Sequence, residues 1–307
     1  MVTRQGRVAF VRTIEGKGRQ VLARLEPDRS PPHLTSRRLP IPSTASPYWI
    51  ERINNFRAAA VPWMDADQRL DGSKVLELGC GGGASTAAMA EQGAEVVGID
   101  LSEELQAEAR TNLDAMGLDA RLILRNARDV GDLLATEKFD RVIFFALLEH
   151  MTIEERIDAL QTVWSGLGSG ALMTIVETPN RLWPFDSHTS QLPFFNWLPY
   201  ELAYRHSPAS PRPGISEPYG DAELSDMEGF LRRGPGASYH EFDVAFGDHR
   251  NLPLVSSLQG WTRQSLLRRV AWRLSHGGRT ERHLHSFAPT VDTAWFQPFL
   301  YLSFRKP

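Results

Sequence analysis

The sequence has a single cysteine, Cys80, in 307 residues. One thiol cannot form an internal disulfide, so the sequence excludes a disulfide-stapled secreted domain and predicts a reducing, cytoplasmic environment. The sequence also lacks any apolar run near the ~20 residues that span a bilayer, and its start shows no apolar signal region. We therefore expect no stable membrane insertion and no export.

An excess of charge of one sign is missing as well, since the formal net charge is −3. Nucleic-acid-binding proteins usually carry a strongly basic face, so the composition argues against a nucleic acid partner. With 42% apolar and 23% charged residues, the chain is typical of a globular protein, and its length fits one elaborated domain or two.

The first 44 residues form a basic segment, with nine arginines or lysines and three acidic residues. Their polar, proline-dotted pattern predicts a partly ordered arm with solvated charge. Contact with a membrane surface or an acidic substrate is the alternative, and an organellar presequence is a weaker one. Residues 47–64 then change to apolar spacing that is typical of helices.

What the sequence does contain is a strand, a glycine cluster and a helix start within residues 74–85, which read K-V-L-E-L-G-C-G-G-G-A-S. Such a turn needs glycine because the backbone adopts positive φ and lets a ligand approach closely. The helix start beyond it favours a nucleotide-like ligand. Glu77 is unusual at this place, because a carboxylate would repel a pyrophosphate but suits an ammonium group.

A second apolar strand ends at Asp100 in the residues V-V-G-I-D. An NAD-type fold is compatible with this acid and with the G-x-G-x-x-A pattern that starts at Gly79. However, the pattern of Glu77 before the glycine loop and Asp100 after the second strand resembles that of the class I S-adenosylmethionine (SAM)-dependent methyltransferases. The L-E-H segment at Leu148 to His150 resembles the small-molecule members of that family, including those of the ubiquinone pathway. The resemblance covers residues 74–177.

The resemblance implies an α/β fold with a doubly wound, seven-stranded, mostly parallel sheet (Rossmann-like). It also implies N-terminal helices over the cofactor. The connection after strand five is too long and too aromatic for a simple turn, and it predicts a lid insertion over the substrate. We expect an arm and cap helices in residues 1–70 and the SAM-binding domain in residues 71–307, with insertions at about 179–218 and 251–290. Strand six is expected at Ser238 to Ala245, a sheet-covering helix at Asp221 to Arg232, and an antiparallel closing strand at Pro298 to Phe304.

The same resemblance implies SAM as cofactor and S-adenosylhomocysteine as product. Asp100 would accept hydrogen bonds from the ribose, Glu77 would face the methionine part, and Asn126 would contact the adenine in place of the usual acid. Cys80 is read as a small loop residue, with a nucleophile as the minor alternative. The predicted cofactor set is Glu77, Gly79, Cys80, Gly81, Asp100, Leu101, Asn126, Ala127, Arg128 and Phe145.

Candidate catalytic residues follow strands four and five, because open α/β sheets bind ligands at the carboxyl ends of their strands. His188 is the expected general base, with His150 and Glu177 as further candidates. Packing against the lid is the alternative for His150, and a hydrogen bond that fixes the loop is the alternative for His188. The predicted substrate wall is the aromatic segment after strand five, namely Trp183, Phe185, Asp186, Phe194, Phe195 and Trp197.

A metal is not expected, because Phe145 stands where the ubiquinone-pathway enzymes carry a metal-binding acid. The alternative is a divalent ion held by Asp186 and His188 together with Glu177 and His150. The leading function is O-methylation of a partly apolar small molecule, such as a natural product of secondary metabolism, a sugar or a quinone-like hydroxyl. C-methylation of an isoprenoid- or polyketide-like carbon and a non-catalytic SAM-binding module stay open.

A last pattern lies in Trp261 to Leu274, where apolar residues share one helical face and four arginines lie on the other side. Solvated charge is the expected role of these arginines, and contact with a phosphorylated substrate or an anionic membrane surface is the alternative. The sequence does not determine the oligomeric state.

Overall fold

Alternating apolar strands and amphipathic helices build one seven-stranded sheet in the computed structural model, which describes residues 32–307. The predicted arm therefore lies largely outside the described residues. The strands are β1 (Lys74–Leu78), β2 (Glu95–Asp100), β3 (Arg121–Leu124), β4 (Arg141–Phe145), β5 (Leu172–Pro179), β6 (Leu254–Ser257) and β7 (Phe299–Arg305).

The strand order is β3-β2-β1-β4-β5-β7-β6. Strands β1 to β5 pair in parallel, and β7 lies antiparallel between β5 and β6. The order reverses between β1 and β4, which is the place where doubly wound sheets leave a crevice for a ligand. The expected fold class and the antiparallel closing strand are confirmed.

Helices cover both faces of this sheet. Helix α5 (Glu103–Met116) has Ser102 as its N-cap and Gly117 as its C-cap. Helix α7 (Ile153–Gly166) begins with a capping box between Thr152 and Glu155. The helices are α1 (Pro32–Thr35), α2 (Pro47–Asn55), α3 (Val61–Asp67), α4 (Ala84–Ala90), α5 (Glu103–Met116), α6 (Gly131–Thr136), α7 (Ile153–Gly166), α8 (Tyr200–His206), α9 (Pro213–Ser216), α10 (Met227–Leu231), α11 (Tyr239–Phe246), α12 (Leu258–Thr262), α13 (Leu266–Leu274) and α14 (His276–Phe287).

Two apolar cores lie on the two faces of the sheet. One packs α7, α11 and the residues before β7 against β4 and β5, around Phe242 and Trp295. The other packs α2 to α4 against β1 and β2, around Trp49 and Trp63. A π-helical stretch, Phe56–Ala60, joins α2 to α3. The helices predicted before the first strand are therefore confirmed.

The prediction for strand six is wrong. Residues from Ser238 form helix α11, because Ser238 and Glu241 make a capping box and Phe242 and Ala245 then share the face that packs on the sheet. Strand six is β6, within a segment that was predicted as insertion. The helix expected at Asp221 to Arg232 is reduced to α10, whose buried Phe230 packs with Tyr204 and Tyr219.

The connection from β5 to α11 has a core of its own, separate from those on the sheet. Phe195, Tyr204, Tyr219 and Phe230 pack together there with α8 and α10. This connection, residues 180–237, is called the insertion below. Across residues 32–307, no helix is both long and apolar enough to cross a bilayer.

Candidate active site

The glycine turn after β1 has the backbone conformation that its sequence predicts. Gly79, Gly81 and Gly83 have φ of 84°, 49° and 80°. A Cβ at Gly79 would lie 2.9 Å from the carbonyl oxygen of Phe145, so β4 packs directly against the loop. Nothing lies within 4 Å of a Cβ position at Gly81, so the space above the middle of the loop is open.

Asp100 ends β2 beside this open space. One carboxylate oxygen accepts the backbone N–H of Gly81 at 2.8 Å, and the other accepts the N–H of Ser102 at 2.9 Å. Each oxygen keeps a second lone pair, so the carboxylate shapes the loop and can still accept hydrogen bonds from a ligand.

Glu77 is fully buried beneath the loop. Its two oxygens accept hydrogen bonds from the hydroxyls of Ser85 and Thr86, which begin helix α4. Burial raises the pKa of Glu77 to about 6, while these hydroxyls oppose the rise. The side chain therefore joins the strand to the helix, and it reaches a ligand only through the loop that it supports.

The N-terminal helix α2 covers the loop from the other side. Trp49 is 2% exposed, and its Nε1 donates to the carbonyl oxygen of Gly82 at 2.7 Å. Arg52 forms an ion pair with Glu177 at 2.7 Å and lies 5.4 Å from the ring centroid of Phe145. Helix α2 thus ties the end of β5 to the glycine turn.

Two histidines from distant segments meet beyond β4 and β5. The rings of His150 and His188 have centroids 5.9 Å apart. Nδ1 of His150 donates to the carbonyl oxygen of Arg232 at 3.0 Å, and Nδ1 of His188 lies 3.3 Å from the Thr189 hydroxyl, which itself donates to Gly234. These contacts leave Nε2 of each ring to accept a proton.

Desolvation keeps both rings neutral near pH 7. Burial, with a smaller contribution from the adjacent His150, lowers the pKa of His188 to about 4. Desolvation also lowers the pKa of His150, although that residue stays exposed at its surface. Both rings are therefore proton acceptors at neutral pH.

Glu149 is the third residue of this cluster. It is fully buried, and neither of its carboxyl oxygens has a hydrogen-bond partner among residues 32–307. The hydroxyl of Thr178 is nearby, but it does not meet the distance and angle of a hydrogen bond to Glu149. Burial raises the pKa of Glu149 to about 8, so it is mainly protonated at neutral pH. One ligand atom each from Glu149, His150 and His188 lie within 4.8 Å of one another, so the cluster could also hold a metal ion.

Comparison with known proteins identifies the core. A family profile described as "Methyltransferase domain" matches residues 75–170. The ubiquinone biosynthesis O-methyltransferase of Stutzerimonas stutzeri is 40% identical over 104 residues, which are 33% of this chain and 42% of that protein. The enzyme of the same name from Thiobacillus denitrificans is 43% identical over 89 residues, which are 29% of this chain and 38% of that protein.

This chain contains a class I SAM-dependent methyltransferase domain. It spans less than half the length of the curated relatives that it matches. Among solved structures, magnesium protoporphyrin IX methyltransferase from Synechocystis PCC 6803 is 26% identical, with a TM-score of 0.34 over 40% of this chain and 54% of that one.

SAM is the cofactor of this domain, and the residues present fit it. The open space at Gly81 admits a ligand against the backbone, and the Asp100 carboxylate stands beside it with acceptor capacity for hydroxyls. Leu101 is 69% exposed next to this acid, which offers an apolar contact to a flat ring.

The other predicted cofactor residues of the methyltransferase domain differ in their burial and in their hydrogen-bond partners. Cys80 is buried, and burial raises the pKa of its thiol, which disfavours a thiolate nucleophile. The amide oxygen of Asn126 accepts the N–H of Arg128, and the Arg128 side chain pairs with Asp158 at 2.8 Å. Ala127 and Phe145 are buried against the sheet. Their contacts with SAM stay predictions.

The predicted substrate wall is not one surface. Phe195 is 2% exposed inside the core of the insertion. Trp197 borders a mainly apolar cavity of about 470 Å³ between α7, α11 and the insertion. Phe185 and Phe194 are exposed, and Trp183 is half-buried.

Asp186 is buried and works within its own turn. Its carboxylate accepts the backbone N–H groups of His188, Thr189 and Ser190, at 3.2, 2.9 and 2.7 Å. Asp186 therefore positions His188 and is not part of the potential metal cluster. The insertion supplies one residue, His188, to the cluster.

Three residues of the site were not among the predicted site residues. Arg52 and Trp49 hold the glycine loop and β5, and Glu149 lies under the histidines. A cationic residue within the apolar pattern of α2 was the one available signal for Arg52. For Glu149 the signal was its place beside His150 in the L-E-H segment, but its burial depends on the packing of β5.

Proposed function

We propose that this protein transfers a methyl group from SAM to a hydroxyl group of a partly apolar small or medium-sized molecule. The observation that carries the proposal is the pair formed by His150, which follows β4, and His188, which lies in the insertion after β5. Strand β4 adjoins β1, whose carboxyl end carries the glycine turn. Bound SAM supplies an electrophilic methyl group. The chain must then supply orientation and a place for the acceptor's proton.

The histidine pair supplies the proton acceptor. A hydroxyl is a weak nucleophile until it starts to lose its proton, and Nε2 of a neutral imidazole can take that proton. The hydrogen bonds at Nδ1 hold each ring in the tautomer that presents Nε2. The pH profile of kcat tests this role of His188, since the loss of its proton-accepting form predicts an inflection near pH 4.

The protonated Glu149 has a separate role in this proposal. A neutral carboxylic acid at this place adds no negative charge beside the histidines and can donate a hydrogen bond to a carbonyl or hydroxyl oxygen of the acceptor. The Glu177 carboxylate is neutralised by Arg52. We therefore treat Glu177 as a residue that orders the site and not as the base.

Methylation at carbon is the less supported reaction. It calls for aromatic faces around a developing positive charge. Phe195 lies in the core of the insertion, and Trp197 borders a cavity whose lining does not include the histidines.

The test uses the purified full chain, SAM with a labelled methyl group, and a panel of phenols, catechols and sugars. We expect SAM and S-adenosylhomocysteine to bind at micromolar affinity, and labelled O-methyl ethers to form together with S-adenosylhomocysteine. The same assay is repeated after EDTA treatment, and we expect turnover to survive. Binding of NADH without binding of SAM would overturn the cofactor assignment.

Loss of turnover with EDTA, restored by Mg²⁺ or Zn²⁺, would show instead that Glu149, His150 and His188 act as metal ligands. If the protein binds SAM but forms only carbon–methyl bonds with the panel, the proposal of a histidine general base is wrong. These outcomes leave the assignment of the domain unchanged and separate it from the proposed chemistry.

A further inference from the structure

An apolar face protrudes from the molecule far outside the matched domain. Helix α13 has no buried residue in its nine positions. Leu266, Leu267 and Leu274 are 75%, 83% and 71% exposed, and Val270 is 47% exposed. At about 100° per residue these four side chains lie within an arc of roughly 100° on one side of the helix. Phe287, at the end of α14, is 74% exposed as well.

The opposite side of α13 explains why the leucines point outward. Trp272 packs against Gly277 of α14, where a Cβ would lie 2.6 Å from its ring, and its Nε1 donates to Glu281 at 2.7 Å. Arg263 pairs with the same carboxylate at 2.8 Å and stacks on the Trp272 ring at 3.7 Å. The hairpin of α13 and α14 is therefore held by its inner side, and the apolar arc is left without cover from residues 32–307.

A rim of arginines borders this arc. The segment 266–287 contains five arginines and one glutamate, in a chain whose net charge is −3. No ion pair with a carboxylate is found for these five arginines in the described part of the chain. Several guanidinium groups donate instead to helix-end carbonyls, as Arg279 does to Leu274 and Arg282 to Arg273. The five are Arg268, Arg269, Arg273, Arg279 and Arg282.

We propose that the hairpin 266–287 docks on an anionic phospholipid surface, with the apolar arc of α13 entering the headgroup boundary and the arginine rim contacting lipid phosphates. Exposed leucines beside arginines on one amphipathic helix match the two terms of interfacial binding, apolar burial and attraction to anionic lipid. A nucleic acid would match the arginines alone and leave the leucines in water.

Two other occupants fit the charge less well. A second copy of the chain would place the arginine rim against itself, and like charges in an interface oppose association. The segment 1–31, whose structure is not described, carries seven basic and three acidic residues, so it too would be repelled by the rim.

The position of the hairpin connects it to the site. Glu281 accepts a hydrogen bond from the Gln297 side chain, and the Gln297 backbone oxygen accepts one from Asn180, directly after β5. The hairpin thus stands at the carboxyl end of β5, the end that carries Glu177 and the histidine cluster. A docked hairpin would bring this end of the sheet close to the bilayer, where partly apolar molecules concentrate.

The test is sedimentation of the full chain with vesicles of phosphatidylcholine alone or with 30% phosphatidylglycerol. We expect binding to the anionic vesicles at 0.15 M salt, at least tenfold weaker binding at 0.5 M salt, and little binding to neutral vesicles. The variant Leu267→Ser with Leu274→Ser should bind anionic vesicles at least tenfold more weakly. The variant Arg269→Gln with Arg273→Gln should show a similar loss.

Matched controls lie on other faces. Val244→Ser changes an apolar residue that is 66% exposed on α11, and Arg110→Gln with Arg205→Gln removes two exposed arginines elsewhere. These controls should bind vesicles as the unchanged chain does. The leucine and arginine variants should keep the melting temperature of the unchanged chain, because the substituted side chains of α13 are exposed.

The proposal is overturned if the leucine variant binds anionic vesicles as the unchanged chain does, since the basic arm would then carry the binding. It is also overturned if the chain binds no vesicles and forms a dimer that the leucine variant abolishes. Both results are independent of methyl transfer, so they leave the proposed function standing.

Discussion

The two halves of the sheet differ in the residues that adopt positive φ angles. In the cofactor half, formed by β1 to β3, the positive φ angles of the loop fall on glycines. In the acceptor half, formed by β4, β5 and the insertion, some also fall on residues with side chains, besides glycines such as Gly220 and Gly234. These residues are Ala146, Glu177, Gln191, Phe194 and Leu224. A side chain in this conformation costs about 1–3 kcal/mol, which only a well-packed surrounding can offset. The acceptor half therefore stores strain that the cofactor half avoids.

The halves also differ in the buried polar atoms around the ligand space, although Gln92 of the cofactor half has an unpartnered oxygen too. Both oxygens of Glu77 and of Asp100 accept hydrogen bonds, so the cofactor loop is complete before a ligand arrives. In the acceptor half several buried oxygens have no partner within residues 32–307. They belong to Glu149, Glu177, Thr178, Gln191, Asn196 and Tyr200. Each such atom costs about 1–3 kcal/mol, which a bound acceptor can recover.

This difference indicates which half is general and which is particular. A prebuilt loop suits a cofactor that is common to the family, whereas strain and unpartnered groups suit an acceptor that is particular to this chain. The comparison predicts that changes in the acceptor half affect turnover and changes in the cofactor half affect SAM affinity.

The largest expected effect is on turnover, from the double variant His150→Ala with His188→Ala. Loss of a general base lowers kcat by about 100-fold or more. SAM affinity should stay within about threefold, because neither ring contacts the glycine loop. Steady-state kinetics and calorimetry on the same samples measure both. The two single variants then show which ring is the base, through the larger loss. Near-normal turnover in all three would abolish the distinction between the halves.

An intermediate effect is expected in the cofactor half. Asp100→Ala should weaken SAM binding by at least tenfold, about 1.4 kcal/mol, through loss of ribose hydrogen bonds and of the contact that shapes the loop. Asp100→Asn should lose less, because an amide oxygen can still accept from Gly81. Glu104→Ala, an exposed acid in the first turn of α5, is the control and should bind SAM normally. Unchanged calorimetric affinity in Asp100→Ala would remove Asp100 from the cofactor site.

The smallest effect concerns stability in the acceptor half. The folded pKa of Glu149 lies above its ordinary value, so its favourable contribution is present at low pH and is lost as pH rises through about 8. Glu149→Gln cannot ionise and should therefore gain stability relative to the unchanged chain between pH 6 and pH 9. A gain of about 1 kcal/mol corresponds to a few degrees in Tm.

Thermal unfolding at the two pH values measures this gain. Glu104→Gln, which removes an exposed carboxylate, should show the same small shift at both. If Glu149→Gln gains nothing at pH 9, the carboxyl group is solvated or paired in the folded protein, and the contrast in buried polar atoms is weaker than the structure indicates.

Much of the fold could be predicted from the sequence because its causes are local. The strands β1 to β5 have apolar runs between turns, and α5 and α7 have caps at Ser102 and Thr152. The error at Ser238 has a physical reason too. A short apolar stretch reads as strand or helix, and the capping box with Glu241 decides for helix.

The candidate site divides in the same way. The sequence by itself determined the glycine turn and the place of Asp100, since positive φ and strand ends follow from residue type and spacing. Only the tertiary structure decided that Glu77 lies beneath the loop and that His150 meets His188. It also paired Arg52 with Glu177, 125 residues away. Contacts between distant segments depend on the closing of loops and the packing of whole layers, which no local pattern of residues encodes.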